Sequence, residues 1–107
     1  MSGKLNIVFK DNGQWLLHGE LTFASIHGKL VESPPFLRGG KDITLDFAQV
    51  TSTDSAGLAL MIEWIKLTRH QRMQLHFKNV PKQLLNLAKL SGLDKTHYFS
   101  LKLNKTT

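Results

Sequence analysis

The sequence predicts an α/β domain on a mixed, mostly parallel sheet, and three features carry that expectation. Ile43, Leu45 and Phe47 alternate with polar residues at the two-residue period of a half-buried strand. Leu58, Met61, Ile62 and Ile65 recur at the three- and four-residue steps of a helix. Two extended segments near the N-terminus flank "DNG", a turn sequence that closes hairpins. Strands that alternate with helices imply parallel pairing through right-handed crossovers, and the hairpin contributes an antiparallel member.

Taken in order, Leu5–Lys10 and Gln14–Leu21 are the hairpin strands. Phe23, Ile26, Leu30 and Val31 suit a short amphipathic helix, which Pro34-Pro35 must end, and "SPPFLRGG" follows as a flexible or irregular connector. "KDITLDFAQV" is a strand ending at Val50, where it delivers a hydroxyl-rich turn, Thr51 to Ser55. From about Ser55 to Arg72 there is no proline and only Gly57 near the start, so this is a long helix. "MQLHFKNV" alternates Leu75, Phe77 and partly Val80 as a further strand. "PKQLLNLAKLSGL" opens a helix with Pro81 in its first turn and stops at Gly92, with Leu84, Leu87, Ala88 and Leu93 facing inward. "THYFSLKL" is a candidate last edge strand and "NKTT" a frayed end. The order is β-β-α-β-α-β-α, with room for a final β.

Residues 1–107 are enough for one core and too few for two, so a single domain is expected, its core spanning about residues 5–99. A hydrophobic content of 41% beside 21% charged residues argues against a disordered chain. No apolar run approaches the ~20 residues that cross a bilayer, and "MSGKLNIVFKDNG" has no signal-peptide pattern, which makes the cytoplasm the default compartment. With no cysteine, disulfides and thiolate chemistry are excluded. The net charge of +6 favours an acidic partner. The lysines and arginines are scattered, however, and "KLTRHQR" is not interleaved with aromatics, so specific nucleic-acid binding is not expected.

Enzyme signatures are missing. "RGGKD" lacks the glycine spacing and hydroxyl of a phosphate loop, and the five histidines have neither metal-ligand spacing nor cysteines to complete a site. Ser55 has no glycine two residues before it, as a nucleophile elbow requires. Asp46 and Asp54 could meet across a turn, but nothing fixes their separation. No catalytic residue, metal or cofactor is expected, and the chain reads as a binding module.

The junction before the long helix is the informative stretch. Hydroxyls and acids collect at helix N-termini because the first amides lack partners and the dipole is positive there, which accounts for Thr53 and Asp54 as capping residues with Gly57 close behind. Ser55 is less well explained, since a phosphate at that position would also suit those amides. On a wheel of ~100° per residue, Leu58, Met61, Ile62 and Ile65 form one apolar stripe, and Leu60, Trp64 and Leu67 form a second on the opposite side. Either another element covers the second stripe, or it docks a partner with Trp64 as anchor. In the second case Ser55, Ala56, Leu60, Trp64 and Leu67 lie along one docking helix.

"VTSTDSAGLALMIEWIKL" after a strand, "GELT" before the first helix and "LLNLAKLSGLDK" near the end resemble a STAS domain, the module shared by anti-sigma factor antagonists and sulfate transporters. The most specific part is Asp54-Ser55-Ala56-Gly57-Leu58, and within the family the segments are most similar to the MlaB-like subunits of the Mla phospholipid ABC transporter. The resemblance implies helices mainly on one face of the sheet and no catalytic activity. It also implies a small cytoplasmic subunit that binds the transporter's ATPase and supports its assembly and activity in maintaining outer-membrane lipid asymmetry. It would then be peripheral to the inner membrane through the complex. The position of Ser55 is usually threonine in MlaB-like proteins and belongs to that contact. In anti-sigma factor antagonists it is a serine phosphorylated by a partner kinase. The serine leaves the alternative of an antagonist switched at Ser55 open, while Ala56 replaces the antagonists' common second serine.

Overall fold

The computed structural model describes residues 4–99. Four strands, β1 (Leu5–Asp11), β2 (Gln14–Leu21), β3 (Asp42–Thr53) and β4 (Gln74–Lys78), lie side by side in that order. β1 and β2 are antiparallel, with Ile7 opposite Leu17 and Phe9 opposite Trp15. The tight connection works because Asn12 and Gly13 both adopt positive φ, 48° and 77°, the backbone that matches the twist of a two-residue hairpin. β2–β3 and β3–β4 are parallel, and their crossovers carry the helices α1 (Gly28–Glu32) and α2 (Ser55–His70); α3 (Lys82–Leu90) follows β4. The mixed, mostly parallel α/β sheet with an antiparallel N-terminal hairpin is thus present.

Alternation along the strands sets the core on one face. Leu17, Leu21, Ile43, Leu45, Phe47, Leu75 and Phe77 point under the helices and are buried. Their alternating neighbours Asn6, His18, Thr44 and His76 share the other face and stay exposed or half-buried. α3 contributes Leu84 and Ala88, with Leu87 and Leu93 packed at the margin of the core.

Several elements depart from expectation. β3 continues to Thr53, with Ser52 opposite Glu20 and Thr53 opposite Leu21, so Thr51 to Thr53 belong to a strand and not to a turn. Their hydroxyls mimic a turn composition, but a full-length partner strand satisfies the backbone. The first helix is confined to Gly28–Glu32, and Phe23 is 83% exposed in the turn before it instead of facing inward. The connector after Pro34 is ordered: Pro35–Arg38 forms a 3-10 turn that buries Phe36. Thr96 to Phe99 make a turn beside β4, where the Phe77 amide donates to the Tyr98 carbonyl at 2.8 Å and the Phe99 ring meets Phe77 edge-on. The rest of the expected edge strand, and "NKTT", lie outside the described residues.

Candidate partner-docking site

The site is built where β3 hands over to α2. Asp54 has extended backbone (φ −145°), the geometry of an N-cap, and its Oδ1 accepts from the Ala56 amide at 2.9 Å. The Gly57 amide donates to the Asp54 carbonyl at 2.9 Å. Two amides of the first turn are therefore engaged by Asp54, and a phosphate placed there would have to compete for them. The other carboxylate oxygen, Oδ2, accepts from the Phe23 amide at 3.1 Å and ties the β2–α1 turn to the start of α2. Thr53 is not the cap; its Oγ1 donates to Gln83 Oε1 at 3.0 Å and links the end of β3 to α3. Ser55 is the first helical residue and is exposed, and Ala56 is half-buried beside it.

Gly57 determines how closely α2 approaches the sheet. A Cβ at this position would lie 2.7 Å from the Leu21 carbonyl oxygen and 3.1 Å from its Cγ. Only glycine permits that approach, and Gly57 is buried against β2 as a result. From there the inner face of α2 runs through Leu60, Met61, Trp64, Ile65 and Thr68, all buried at helical spacing.

Leu60, Trp64 and Leu67 therefore require correction as an exposed stripe. Trp64 is 0% exposed and Leu60 2%, and Leu67 is half-buried against the core. The second side of the helix is covered by α1 and the 3-10 turn. The Trp64 indole N–H donates to the Leu30 carbonyl at 2.8 Å, and its ring meets Phe36 edge-to-face with centroids 5.2 Å apart. Of the residues assigned to one docking helix, only Ser55 is exposed, Ala56 and Leu67 are half-buried, and Leu60 and Trp64 are buried. The outward face comprises Ser55, Ala59, Ile62 and Lys66 at steps of four, three and four, flanked by half-buried Leu58.

The exposure of Phe23 is not legible in the sequence, where the carboxylate that accepts from its backbone amide stands 31 positions away. Asp46 and Asp54 are held apart in separate roles: Asp46 Oδ1 accepts from the Ala48 amide and from Asn79 Nδ2, both at 2.9 Å. Among the described residues no three His, Cys, Asp or Glu side chains gather as a metal site, and no helix is long and apolar enough to cross a membrane.

The family model described as "Mlab, STAS domain" matches residues 11–103, most of the chain and all of the junction just described. The chain belongs to the MlaB-type STAS domains. Comparison with curated protein sequences returned no match. Among solved structures, this STAS domain is similar to the anti-sigma factor antagonist SpoIIAA in its unphosphorylated form, with a TM-score of 0.58 and 12% identity. The similarity covers 80% of this chain and 82% of that one, and at such identity it bears on the fold alone. The family match thus takes in β2, β3, β4, the helices and the Ser55 junction, and it begins at the last residue of β1.

Proposed function

We propose that this STAS domain is a non-catalytic accessory subunit that binds the cytoplasmic ATPase of an MlaFEDB-type phospholipid ABC transporter and supports its assembly and activity in maintaining outer-membrane lipid asymmetry. The observation that carries the reading is the MlaB-type match over residues 11–103. The junction supports it, since Ser55 is exposed at the head of α2 and Ala56 adjoins it. On this reading the protein is cytoplasmic, it reaches the inner membrane only through the complex, and the partner grips the head of α2. Leu60, Trp64 and Leu67 support that surface from within.

Co-expression with the ATPase and affinity purification tests it. The two proteins should co-purify without any phosphorylation. Failure of the purified pair to associate, with both partners folded, would end this reading.

The exposed Ser55 hydroxyl favours a second reading, an anti-sigma factor antagonist that holds a kinase until that kinase phosphorylates Ser55. A phosphate brings about −1.5 to −2 charges into the contact, one residue along from the Asp54 carboxylate, and desolvating that charge is costly enough to break binding. Intact mass after incubation with ATP and cell extract distinguishes the two: a Ser55-dependent gain of one phosphate supports the switch, and an unchanged mass removes it.

A further inference from the structure

Phe23 is the most exposed aromatic among the described residues, and the turn that carries it is closely held. The Ser25 hydroxyl accepts from the Thr22 amide at 3.0 Å and lies within hydrogen-bonding distance of the carbonyls of Glu20 (2.7 Å) and Thr22 (3.0 Å). The amides of Ser25 and Ile26 both donate to the Thr22 carbonyl, and the Phe23 amide donates to Asp54 Oδ2. The backbone amides of Thr22, Phe23, Ser25 and Ile26 are thus all bonded, in a segment that is neither helix nor strand. Ser25 itself is buried. An exposed ring on a loose loop would lose conformational freedom on binding, whereas a ring on a turn fixed in advance loses little. Asp54 is the only one of these clamps that also touches the head of α2, because its two carboxylate oxygens serve Ala56 and Phe23 separately.

We propose that Phe23 is the aromatic anchor of the docking surface, received by an apolar pocket on the partner, and that Asp54 is a positioning residue that fixes the ring relative to Ser55. This rests on the ATPase-binding reading for the identity of the partner. The chemistry follows from the arrangement. The partner presents an apolar recess to the ring and a small polar group to the Ser55 hydroxyl, one residue along from the carboxylate that sets their separation.

Asp54→Asn separates the clamp from the cap. Asparagine keeps a carbonyl oxygen for the Ala56 amide and so remains a good N-cap, but it turns an NH2 group toward the Phe23 amide, donor against donor. Hydrogen exchange and titration with the purified ATPase subunit are measured for the wild type, Phe23→Ala, Asp54→Asn and the double variant. Phe23→Ala is expected to weaken binding by roughly tenfold or more, as loss of an aromatic anchor does, with thermal stability retained. Asp54→Asn should speed exchange of the Phe23 amide and weaken binding by about fivefold, the worth of one hydrogen bond. In the Asp54→Asn background, Phe23→Ala should cost less than it does alone, because the two act through one contact. Wild type that binds the ATPase while Phe23→Ala binds within about twofold of it would overturn the anchor. Unchanged protection of the Phe23 amide in Asp54→Asn would overturn the clamp, whatever the partner. Wild type that does not bind the ATPase at all would instead refute the reading on which the anchor depends.

Discussion

The two faces of α2 are both rich in apolar side chains, yet they do different work. The inner face, Gly57, Leu60, Met61, Trp64, Ile65 and Thr68, is buried. The outer face pairs an exposed serine and alanine with half-buried Ile62, while Leu58 at its flank packs against the core. Two residues that are not large hydrophobics mark the inner face. Gly57 lets the helix sit against Leu21, and the Thr68 hydroxyl donates back to the Trp64 and Ile65 carbonyls at 2.9 and 3.1 Å, so it can be buried without an unpaired group. Hydrophobicity therefore does not tell these faces apart; the close approach of the helix to the strand does.

The largest effect expected on that contrast is from Trp64→Ala. Removing a buried tryptophan, its contact with Phe36 and its bond to Leu30 should lower unfolding free energy by about 3–5 kcal/mol in urea denaturation. Stability near wild type would return Trp64 to the surface. Gly57→Ala comes next, since its methyl would press on the Leu21 carbonyl and push α2 from the sheet at a cost of about 1–3 kcal/mol. A stabilised variant, the usual result for an exposed helical glycine, would show that the approach is not tight. Asp54→Ala removes the cap and should cost about 1 kcal/mol by thermal denaturation. Ser55→Ala should leave stability within about 0.5 kcal/mol, as for an exposed residue with no structural task, and a larger loss would mean that the serine serves the fold.

Much of the fold was legible because local pattern and tertiary demand agree. Ile43, Leu45 and Phe47 announce β3, the proline-free run after Ser55 gives α2 to within two residues of its observed end, and Leu84 and Ala88 set the inner side of α3. The misreadings arose where a distant residue decides. Thr51 to Thr53 look like turn until β2 pairs with them, and the turn at Phe23 depends on Asp54. The centre of the inner stripe of α2 was misplaced because Gly57 and Thr68 carry no weight on a hydrophobic wheel, while Leu58 and Ile62 carry much. At the candidate site the Asp54 cap and the place of Ser55 at the head of the helix were readable, whereas Thr53 bonds Gln83 and is no cap. The bond from Asp54 to the Phe23 amide was not readable, and the sequence left open whether Trp64 was a surface anchor or part of the core.

The central proposal is that the head of α2 at Ser55 docks the ATPase while the buried inner face of the helix holds it against the sheet. The direct measurement is the dissociation constant of the purified ATPase subunit for the wild type and for Ser55→Glu, with melting temperatures recorded for both. An acid at the first helical position suits the helix dipole, so the fold should be unharmed. Wild type should bind, and Ser55→Glu should bind at least about tenfold more weakly at an unchanged melting temperature, because the charge must be desolvated in the contact. Equal affinity of the two proteins would contradict it.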